Sequence, residues 1–372
     1  MKKVLVLFGT RPEAIKLAPV VKALQRRPDE FITRVASTGQ HREMVQQVID
    51  AFGLQIDFKL DAMSSATSLG HLTSCLFRDL DLLLEAEMPD WILVQGDTTS
   101  AMVAAVCAFY RRVKIGHVEA GLRTYDKWAP FPEEINRSFI THVADAHFAP
   151  TKRSAENLQR AGIPEKQIYV TGNTVVDALE VMVASARNGI PSELDPKLFE
   201  FIENKRMVLV TCHRRESFGD GLRDICRGLL GVVEQCADAV IIYPVHLNPN
   251  VYGKVRQFIG KHPRIKLLEP VRYTTLLWLL NRSYFVLTDS GGIQEEAPCL
   301  GKPVLVLRQT TERPEAVEAG CAQIVGTNPK KIVDAAMNLF DDPQSYSRMA
   351  QVKNPFGDGF SSPRIAEILA KS

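Results

Sequence analysis

Short apolar runs alternate with longer amphipathic segments along the chain, and a polar loop follows most of the runs. A continuous apolar run such as Val4 to Phe8 is typical of a parallel strand that is covered on both faces. Apolar residues at helical spacing, such as Ile15, Ala18 and Val21, predict a helix on the segment that follows. Strand, polar loop and helix therefore alternate, and this order predicts an α/β fold with parallel sheets.

The same pattern assigns the individual elements. In the first half it predicts strands at 4–8, 31–37, 91–95 and 114–118. It also predicts helices at 14–25, 40–52, 72–87 and 100–110, and a further helix from Glu133. In the second half it predicts a strand at 205–211, a helix at 222–233, a strand from Tyr284 and a helix that stops at 301–303. Residues 59–70 carry little pattern.

The chain is long enough for two domains, because 372 residues exceed what one hydrophobic core usually covers. The strand, loop and helix from residue 205 repeat the order seen at the start of the chain. We therefore expect two similar α/β domains with a boundary near 172–205. The first domain is predicted over 1–171 and the second over 172–362.

Composition and charge exclude several classes of protein. Apolar residues make up 45% of the chain and charged residues 24%, as in an ordinary globular protein. The net charge of +2 gives no case for binding nucleic acid or a membrane surface. The N-terminal apolar run stops at Gly9, so it is better interpreted as a strand than as a signal sequence, and no run is long enough to span a membrane. A cytoplasmic protein is expected.

Cysteine and motif spacing exclude further classes. The seven cysteines form no Cys-x-x-Cys pair, so neither a disulfide framework nor a zinc site is predicted, and they are expected to be small buried residues. The chain contains no Gly-x-Gly-x-x-Gly, no Gly-x-x-x-x-Gly-Lys-Ser/Thr and no His-Glu-x-x-His. The sequence therefore argues against hydride transfer, ATP hydrolysis and zinc-dependent hydrolysis as the function. No cofactor and no metal are expected.

The stretch from Tyr284 to Glu296 organises the second half of the chain. A buried strand leads into Ser290, Gly291 and Gly292, which put N–H groups and a hydroxyl at a helix N-terminus without side chains that block close approach. Such a terminus suits a phosphate. Glu296 follows about one turn later, near enough to accept hydrogen bonds from a sugar on that phosphate. The alternative is an ordinary strand-to-helix turn with a polar cap.

Polar residues follow other predicted strands as well, where ligands bind in open parallel sheets. The acidic ones, Asp97, Glu119 and Glu133, are candidates for general acid–base chemistry. Three carboxylates in one site repel one another, so at least one can stay protonated near neutral pH. The basic residues, together with the helix N-terminus at Ser290, suit a diphosphate. They are Arg11, Lys16, His213 and Arg313.

Several of these residues have a structural alternative. Glu133 also suits the start of a helix, and Asp97 also suits a turn. His213 stands alone and equally fits a structural role. Arg11 can cap its helix or pair with Glu13 instead of binding an anion.

These motifs together resemble one known family, the non-hydrolysing UDP-N-acetylglucosamine 2-epimerases of bacteria. The matching segments run in order over nearly the whole chain, so chance is a poor explanation. They are Phe8-Gly-Thr-Arg-Pro-Glu-Ala-Ile-Lys16, Gln40-His-Arg-Glu-Met44, Gly96-Asp-Thr-Thr99, Gly116-His-Val-Glu-Ala-Gly-Leu-Arg123, Pro132-Glu-Glu134, Thr171-Gly-Asn-Thr174, His213-Arg-Arg-Glu-Ser217, Tyr243-Pro-Val-His-Leu-Asn-Pro249, Thr288-Asp-Ser-Gly-Gly-Ile-Gln-Glu-Glu-Ala-Pro298 and Thr311-Glu-Arg-Pro-Glu315.

The resemblance implies a glycosyltransferase-B-like fold, in which two Rossmann-like domains face each other across a cleft. It implies that the C-terminal helix, about 363–372, crosses back to the first domain, and that the protein is a homodimer. It also implies reversible epimerisation at C2 of UDP-N-acetylglucosamine to UDP-N-acetylmannosamine, by anti elimination of UDP to 2-acetamidoglucal and re-addition. The product feeds surface polysaccharide synthesis.

The resemblance also implies residue roles. The catalytic residues are Asp97, Glu119, Glu133 and His213. The residues that bind the UDP-sugar are Arg11, Lys16, Leu276, Ser290, Gly291, Gly292, Glu296 and Arg313. Those of a possible allosteric site are Gln40, Arg42, Glu43 and His246. Two positions depart from the family: an aromatic residue that packs on uracil is common at Leu276, and regulated members often carry glutamine at Glu43.

Three rival functions remain open at this point. A hydrolysing 2-epimerase would release UDP and free N-acetylmannosamine. A retaining glycosyltransferase on the same fold would move the sugar to an acceptor. A catalytically silent module would bind a UDP-sugar and leave it unchanged.

Overall fold

The computed structural model describes residues 1–39, 42–61, 67–186, 191–212, 219–245 and 249–372. They form two compact units. The first comprises Met1–Val181 and Phe356–Ser372, and the second comprises Met182–Pro355. Each unit is a parallel sheet with helices connecting its strands, so the predicted α/β class with two Rossmann-like domains is confirmed.

The first unit alternates strands and helices from its first residues. Its elements are β1 (Lys2–Phe8), α1 (Arg11–Gln25), β2 (Phe31–Ser37), α2 (Arg42–Phe52), β3 (Phe58–Lys59), α3 (Leu69–Glu87), β4 (Trp91–Gln95), α4 (Thr99–Tyr110), β5 (Lys114–Val118), α5 (Glu133–Val143), β6 (Ala146–Ala149), α6 (Lys152–Arg160), β7 (Ile168–Val170) and α7 (Thr174–Ala186), which contains the unit boundary. In the described residues its strands are all parallel, in the order β3-β2-β1-β4-β5-β6-β7.

The second unit repeats this plan. Its elements are α8 (Lys197–Ile202), β8 (Arg206–Thr211), α9 (Asp220–Gln235), β9 (Ala239–Pro244), α10 (Pro249–Ile259), β10 (Ile265–Leu268), α11 (Tyr273–Arg282), β11 (Phe285–Thr288), α12 (Gly291–Cys299), β12 (Val304–Val306), α13 (Pro314–Glu318), β13 (Ala322–Ile324), α14 (Pro329–Asp341) and α15 (Pro343–Ala350). The described strands are parallel, in the order β10-β9-β8-β11-β12-β13.

The strand orders locate the ligand-binding edge of each sheet. The direction in which the chain adds strands reverses between β1 and β4 in the first unit, and between β8 and β11 in the second. Ligands bind beyond the carboxyl ends of the strands at such a reversal. Asp97 follows β4 and Ser290 follows β11, so the sheet topology puts both candidates at the edge that the sequence predicted.

Where local pattern predicted an element, its bounds agree closely with the structure. The strands at 31–37, 91–95 and 114–118 are confirmed to the residue. Helix α1 begins at Arg11, before the predicted start at residue 14. Glu13 explains this early start, because its carboxylate accepts a hydrogen bond from the Thr10 backbone N–H at 2.7 Å and closes the first turn ahead of the apolar stripe.

The first unit extends further along the chain than the predicted limit at residue 171. Asp177 on α7 accepts hydrogen bonds from the backbone N–H groups of Ser361, at 3.2 Å, and Ser362, at 2.7 Å. A carboxylate at that position satisfies donors that a helix N-terminus otherwise leaves unpaired. This contact keeps the start of α7 in the first unit, whose limits are Val181 and Phe356.

The last helix, α16 (Ser361–Lys371), belongs to the first unit and packs on α1. The Lys2 ammonium donates hydrogen bonds to the carbonyl oxygens of Leu369, at 2.9 Å, and Ala370, at 3.0 Å. These carbonyls lie in the last turn of the helix, where cations are favourable.

The cores explain the unbroken apolar runs. Val4 to Phe8 and Phe285 to Leu287 are fully buried, as expected for strands covered on both faces. The seven cysteines are free, and all except the half-buried Cys299 are buried, as predicted. In the part of the chain that the structure describes, no helix combines the length and apolar character needed to cross a membrane.

Two buried histidines lie side by side in the first sheet, His117 on β5 and His147 on β6. Burial lowers the pKa of His117 to about 4, although a hydrogen bond to the Gly96 carbonyl, at 2.7 Å, opposes the shift. Burial and the neighbouring His117 lower the pKa of His147 to about 3. Both rings are therefore neutral in the folded protein at pH values where an unfolded histidine takes up a proton.

We expect the free energy of unfolding to fall by about 1–1.5 kcal/mol per histidine as the pH is lowered from about 7.5 to about 5.5. The folded pKa lies below the unfolded one, so the contribution is complete above the unfolded pKa and is lost as the pH falls towards the folded pKa. Urea denaturation at the two pH values measures the change. His147→Gln should remove roughly half of this pH dependence. An unaltered pH dependence in His147→Gln would contradict the prediction.

Candidate functional site

Glu119 directly follows β5 and is held on both carboxylate oxygens. The Lys16 ammonium lies 2.5 Å from Oε1, and the Gln95 side-chain amide donates to Oε2. The backbone of Glu119 has a φ of 64°, which is costly for a residue with a side chain and is common at functional sites. The carboxylate is therefore buried and held in one position.

The Lys16 ammonium is in an ion pair with Glu119, and its side chain is 11% exposed. This pair was not predicted, and the expected contact of Lys16 with the UDP-sugar stays a prediction. Gln95, the last residue of β4, was not predicted at all. Its signal in the sequence is a polar residue at the carboxyl end of a buried strand.

Asp97 lies in the turn after β4, so its interpretation as a turn residue is correct as far as the backbone is concerned. Its carboxylate is also engaged, because the Arg137 guanidinium on α5 donates to Oδ2. The side-chain amide of Asn136 donates to the Asp97 carbonyl oxygen at 2.9 Å. Helix α5 therefore holds both the backbone and the side chain of this candidate.

Glu134 is the buried centre of this arrangement and was not singled out as a site residue. Its Oε1 accepts hydrogen bonds from Arg123 Nε, at 2.8 Å, and from the Tyr125 N–H, at 3.0 Å. Its Oε2 accepts from the Thr124 N–H, at 3.1 Å, and from Arg137 Nη1, at 3.2 Å. Burial alone would raise the pKa of Glu134, but these hydrogen bonds and the two arginine charges outweigh it and lower the pKa. The i, i+3 spacing of Glu134 and Arg137 was the available sequence signal.

Glu133 is the first residue of α5, which agrees with its alternative interpretation as the start of a helix. It also differs from the other two acidic candidates. Its Oε2 atom is buried and has no hydrogen-bond partner among the residues that the structure describes. A buried polar atom of this kind often marks a group that is completed by a ligand.

Glu13 secures the loop between β1 and α1. Its Oε2 accepts from the Gly9 N–H at 3.1 Å, and its Oε1 accepts from the Thr98 hydroxyl at 2.7 Å. Burial raises the pKa of Glu13, and the hydrogen bonds from Thr98 and Thr10 oppose this shift. Arg11 is half-buried and opens α1 beside this loop.

In the second unit, β11 leads through Ser290 into α12, as predicted. Ser290 is the N-cap, and Gly291 and Gly292 are the first two helical residues. Their N–H groups precede the first intrahelical hydrogen bonds and carry the positive end of the helix dipole. A helix start of this kind suits a phosphate, and the binding itself stays a prediction.

Glu296 lies one turn into α12 and is buried. Its Oε1 accepts a hydrogen bond from the Tyr273 hydroxyl at 3.0 Å. Tyr273 and the half-buried Leu276 are one turn apart on α11, so the helix with the candidate uracil contact also orients the candidate sugar contact. Tyr273 was not predicted.

Arg313 is the N-cap of α13, and its guanidinium pairs with the buried Glu295 at 2.5 Å. Thr311 joins the same loop to α12, because its hydroxyl donates to Gln294 Oε1 at 2.5 Å. The side chain of Arg313 is 12% exposed, so its charge lies largely in the interior. Glu295, its partner, was quoted only as part of a motif and was not predicted to have a role.

Some predicted residues lie outside the described part of the chain. These are His213 of the catalytic set, and Gln40 and His246 of the possible allosteric set. Arg42 and Glu43 are residues of α2, and the positions of their side chains are likewise outside the description. Among the described residues, no three histidine, cysteine, aspartate or glutamate side chains are grouped so that they could hold a metal ion.

Comparisons with known proteins agree over the length of the chain. A family model described as UDP-N-acetylglucosamine 2-epimerase matches residues 22–370. The UDP-N-acetylglucosamine 2-epimerase of Yersinia pestis is 48% identical over 369 residues, which is 99% of this chain and 98% of the relative.

Solved structures give the same result. The UDP-GlcNAc 2-epimerase from Neisseria meningitidis bound to UDP-GlcNAc is 41% identical, with a TM-score of 0.90 and 100% of both chains covered. The UDP-GlcNAc 2-epimerase of Methanocaldococcus jannaschii in complex with UDP-GlcNAc and UDP is 33% identical, with a TM-score of 0.81 and 100% of both chains covered.

Proposed function

The chain belongs to the UDP-N-acetylglucosamine 2-epimerase family, and we propose that it interconverts UDP-N-acetylglucosamine and UDP-N-acetylmannosamine by inverting C2 of the sugar. The observation that carries this function is the set of carboxylates beyond β4 and β5 of the first unit. Two of them, Asp97 and Glu119, are paired with cations, and Glu133 has a buried oxygen without a described partner. Such a set can both accept and return a proton.

The chemistry requires several proton-transfer groups. The proton on C2 is not acidic, because no carbonyl group lies beside it. Loss of UDP from C1 builds positive charge at C1 and makes the C2 proton removable, which gives 2-acetamidoglucal. UDP then adds back to C1 as a proton is delivered to the opposite face of C2. The two faces explain why more than one carboxylate is needed.

We assign the roles accordingly. Asp97 and Glu119 are each held by a cationic partner and are positioned to accept a proton. Glu133 shares the proton transfers on the two faces of C2. His213 keeps its catalytic assignment on the resemblance alone.

The second unit supplies the contacts to UDP in this proposal. The N–H groups at the start of α12, with the Ser290 hydroxyl, bind the diphosphate and stabilise it as it leaves C1. Glu296 accepts hydrogen bonds from hydroxyl groups of the UDP-sugar, and Leu276 contacts the uracil. The charge of Arg313 supports the same anion, and Arg11 of the first unit is assigned to the UDP-sugar as well.

The assembly and setting follow from the resemblance. We propose a homodimer that works in the cytoplasm and supplies UDP-N-acetylmannosamine for surface polysaccharide. We also propose that Gln40, Arg42, Glu43 and His246 serve an activating UDP-N-acetylglucosamine. Light scattering coupled to size-exclusion chromatography measures the molar mass and so tests whether the protein is a dimer.

Incubation with UDP-N-acetylglucosamine in deuterium oxide is expected to give a mixture of two UDP-sugars that both carry deuterium at C2, with little free UDP. The label enters because the abstracted proton exchanges with solvent before it is returned. Phosphorus NMR follows the UDP-sugars, and proton NMR follows the C2 signal. Accumulation of UDP would indicate a hydrolase, turnover only with an added acceptor would indicate a transferase, and an unchanged substrate would indicate a binding module. A labelled substrate without a second epimer would also contradict the proposal.

A further inference from the structure

Arg137 connects two loops of the first unit to α5 through one guanidinium group. Its Nη2 donates to Asp97 Oδ2, and its Nη1 donates to Glu134 Oε2 at 3.2 Å and to the Leu122 carbonyl oxygen at 3.3 Å. The side chain is 11% exposed. Because the guanidinium is planar and rigid, fixing one amino group also fixes the direction in which the other one points.

Glu134 is a rigid anchor for that group. Four hydrogen bonds converge on its two oxygens, two of them from backbone N–H groups, and its side chain is only 2% exposed. Removing a buried carboxylate from such partners is costly, so it stays in place. Its first-turn position on α5 thus determines where the Arg137 guanidinium sits.

Asp97 receives two separate contacts from neighbouring residues of α5. Asn136 holds its carbonyl oxygen at 2.9 Å, which fixes the backbone. Arg137 holds its carboxylate, which fixes the side-chain rotamer. A quarter of the Asp97 side chain remains exposed, so the carboxylate is accessible to a substrate while it is being held.

We propose that Arg137 is a positioning residue for proton transfer: anchored by Glu134, it orients the Asp97 carboxylate towards C2 of the sugar. The inference rests on the proposed function, and it adds to the reaction a residue that does not itself touch the reacting atoms. Proton transfer needs heavy atoms at hydrogen-bond distance, and a shift of about 1 Å can cost a factor of about 100 in rate. An aspartate with free side-chain torsions would not meet that requirement on its own.

Kinetics of three variants test the proposal. Arg137→Met should lower kcat by at least about 100-fold with KM within about threefold of wild type, because binding contacts are retained and orientation is lost. Arg137→Lys should recover part of the lost kcat, since lysine keeps the positive charge but lacks the planar guanidinium that contacts two partners at once. Arg123→Met is the matched control, because Arg123 also pairs with Glu134, at 2.8 Å, but its described contacts do not include Asp97.

Chemical rescue separates positioning from mere stability. Added guanidinium ion should restore kcat of Arg137→Ala, because it can reoccupy the place between Glu134 and Asp97, and it should not restore Arg123→Ala. Equal losses in the two arginine variants without rescue would show that the network serves folding only, and would overturn the proposal. A kcat near the wild-type value in Arg137→Met would overturn it as well.

A crystal structure of Arg137→Met shows the position of Asp97 and does not depend on an activity assay. The expected result is an Asp97 carboxylate that is displaced or adopts several conformations, while α5 keeps its position. An Asp97 carboxylate that keeps its wild-type position would refute the inference. This measurement also keeps the two claims apart: if the wild-type protein fails to epimerise, the proposed function fails, whereas the role of Arg137 is still decided by where Asp97 lies.

Discussion

Asp97→Asn is expected to lower kcat for epimerisation by about 10²–10⁴-fold, with UDP affinity within about twofold of wild type. The substitution removes the proton acceptor and keeps an oxygen that Arg137 can still contact. Arg137 also keeps Glu134 and the Leu122 carbonyl as partners, so no buried charge is left alone. Glu119→Gln is expected to lower kcat by a similar factor, because its carboxylate is the other candidate that a cation holds in place. NMR assays of epimer formation and calorimetric titration with UDP measure the two quantities.

Asp90→Asn provides a matched control at the opposite end of β4. Asp90 precedes β4 at its amino end, is exposed, and accepts a hydrogen bond from the Lys3 N–H at 2.7 Å. Since ligands bind at the carboxyl ends of parallel strands, this variant should retain wild-type kcat. Turnover of Asp97→Asn at the level of Asp90→Asn would remove Asp97 from the mechanism.

Arg313→Met is expected to lower the free energy of unfolding by about 3–5 kcal/mol, because it removes a cation that lies against the buried Glu295 carboxylate. The Glu295 side chain is 1% exposed and lies 2.5 Å from the Arg313 guanidinium. The double variant Arg313→Met/Glu295→Gln should recover most of that loss, since it removes both charges together. Urea denaturation measures all three proteins. Arg272→Met, which breaks the exposed pair with Glu193, should cost no more than about 1 kcal/mol.

The same variants show whether Arg313 also serves the substrate. If its charge supports the diphosphate, the double variant regains stability while its KM for UDP-N-acetylglucosamine stays raised. If Arg313 only pairs with Glu295, stability and KM recover together. Arg313→Met with wild-type stability would instead show that the buried pair contributes little.

Particular residues show how far pattern alone can reach. The strand at 114–118 was predicted to the residue because its apolar run is local, and Glu119 was found because the position after a parallel strand is where ligands bind. The turn at Ser290 to Gly292 was found for the same reason. The ion pair of Lys16 with Glu119 was not predicted, because the two residues lie 103 positions apart along the chain.

The residues that were missed are partners rather than candidates. Gln95, Tyr273 and Glu295 look like ordinary polar residues of a strand or helix until the fold puts Glu119, Glu296 and Arg313 against them. Glu134 and Arg137 were within reach, because i, i+3 pairs on a helix are readable from spacing. Their link to Asp97 was not, because it spans 40 positions.

The α/β class, several buried strands and the candidate site residues could be predicted from the chain alone, because buried strands, helix faces and strand-end loops are set by neighbours along the chain. The pairing of the charged side chains could not, because it follows from the fold. The fold placed Arg137 on Asp97 and Lys16 on Glu119, and it returned the C-terminal helix to Asp177 of the first unit. The physical reason is that the energy of an ion pair or a capped helix end depends on distance and burial, and the order of residues specifies neither until the chain has folded.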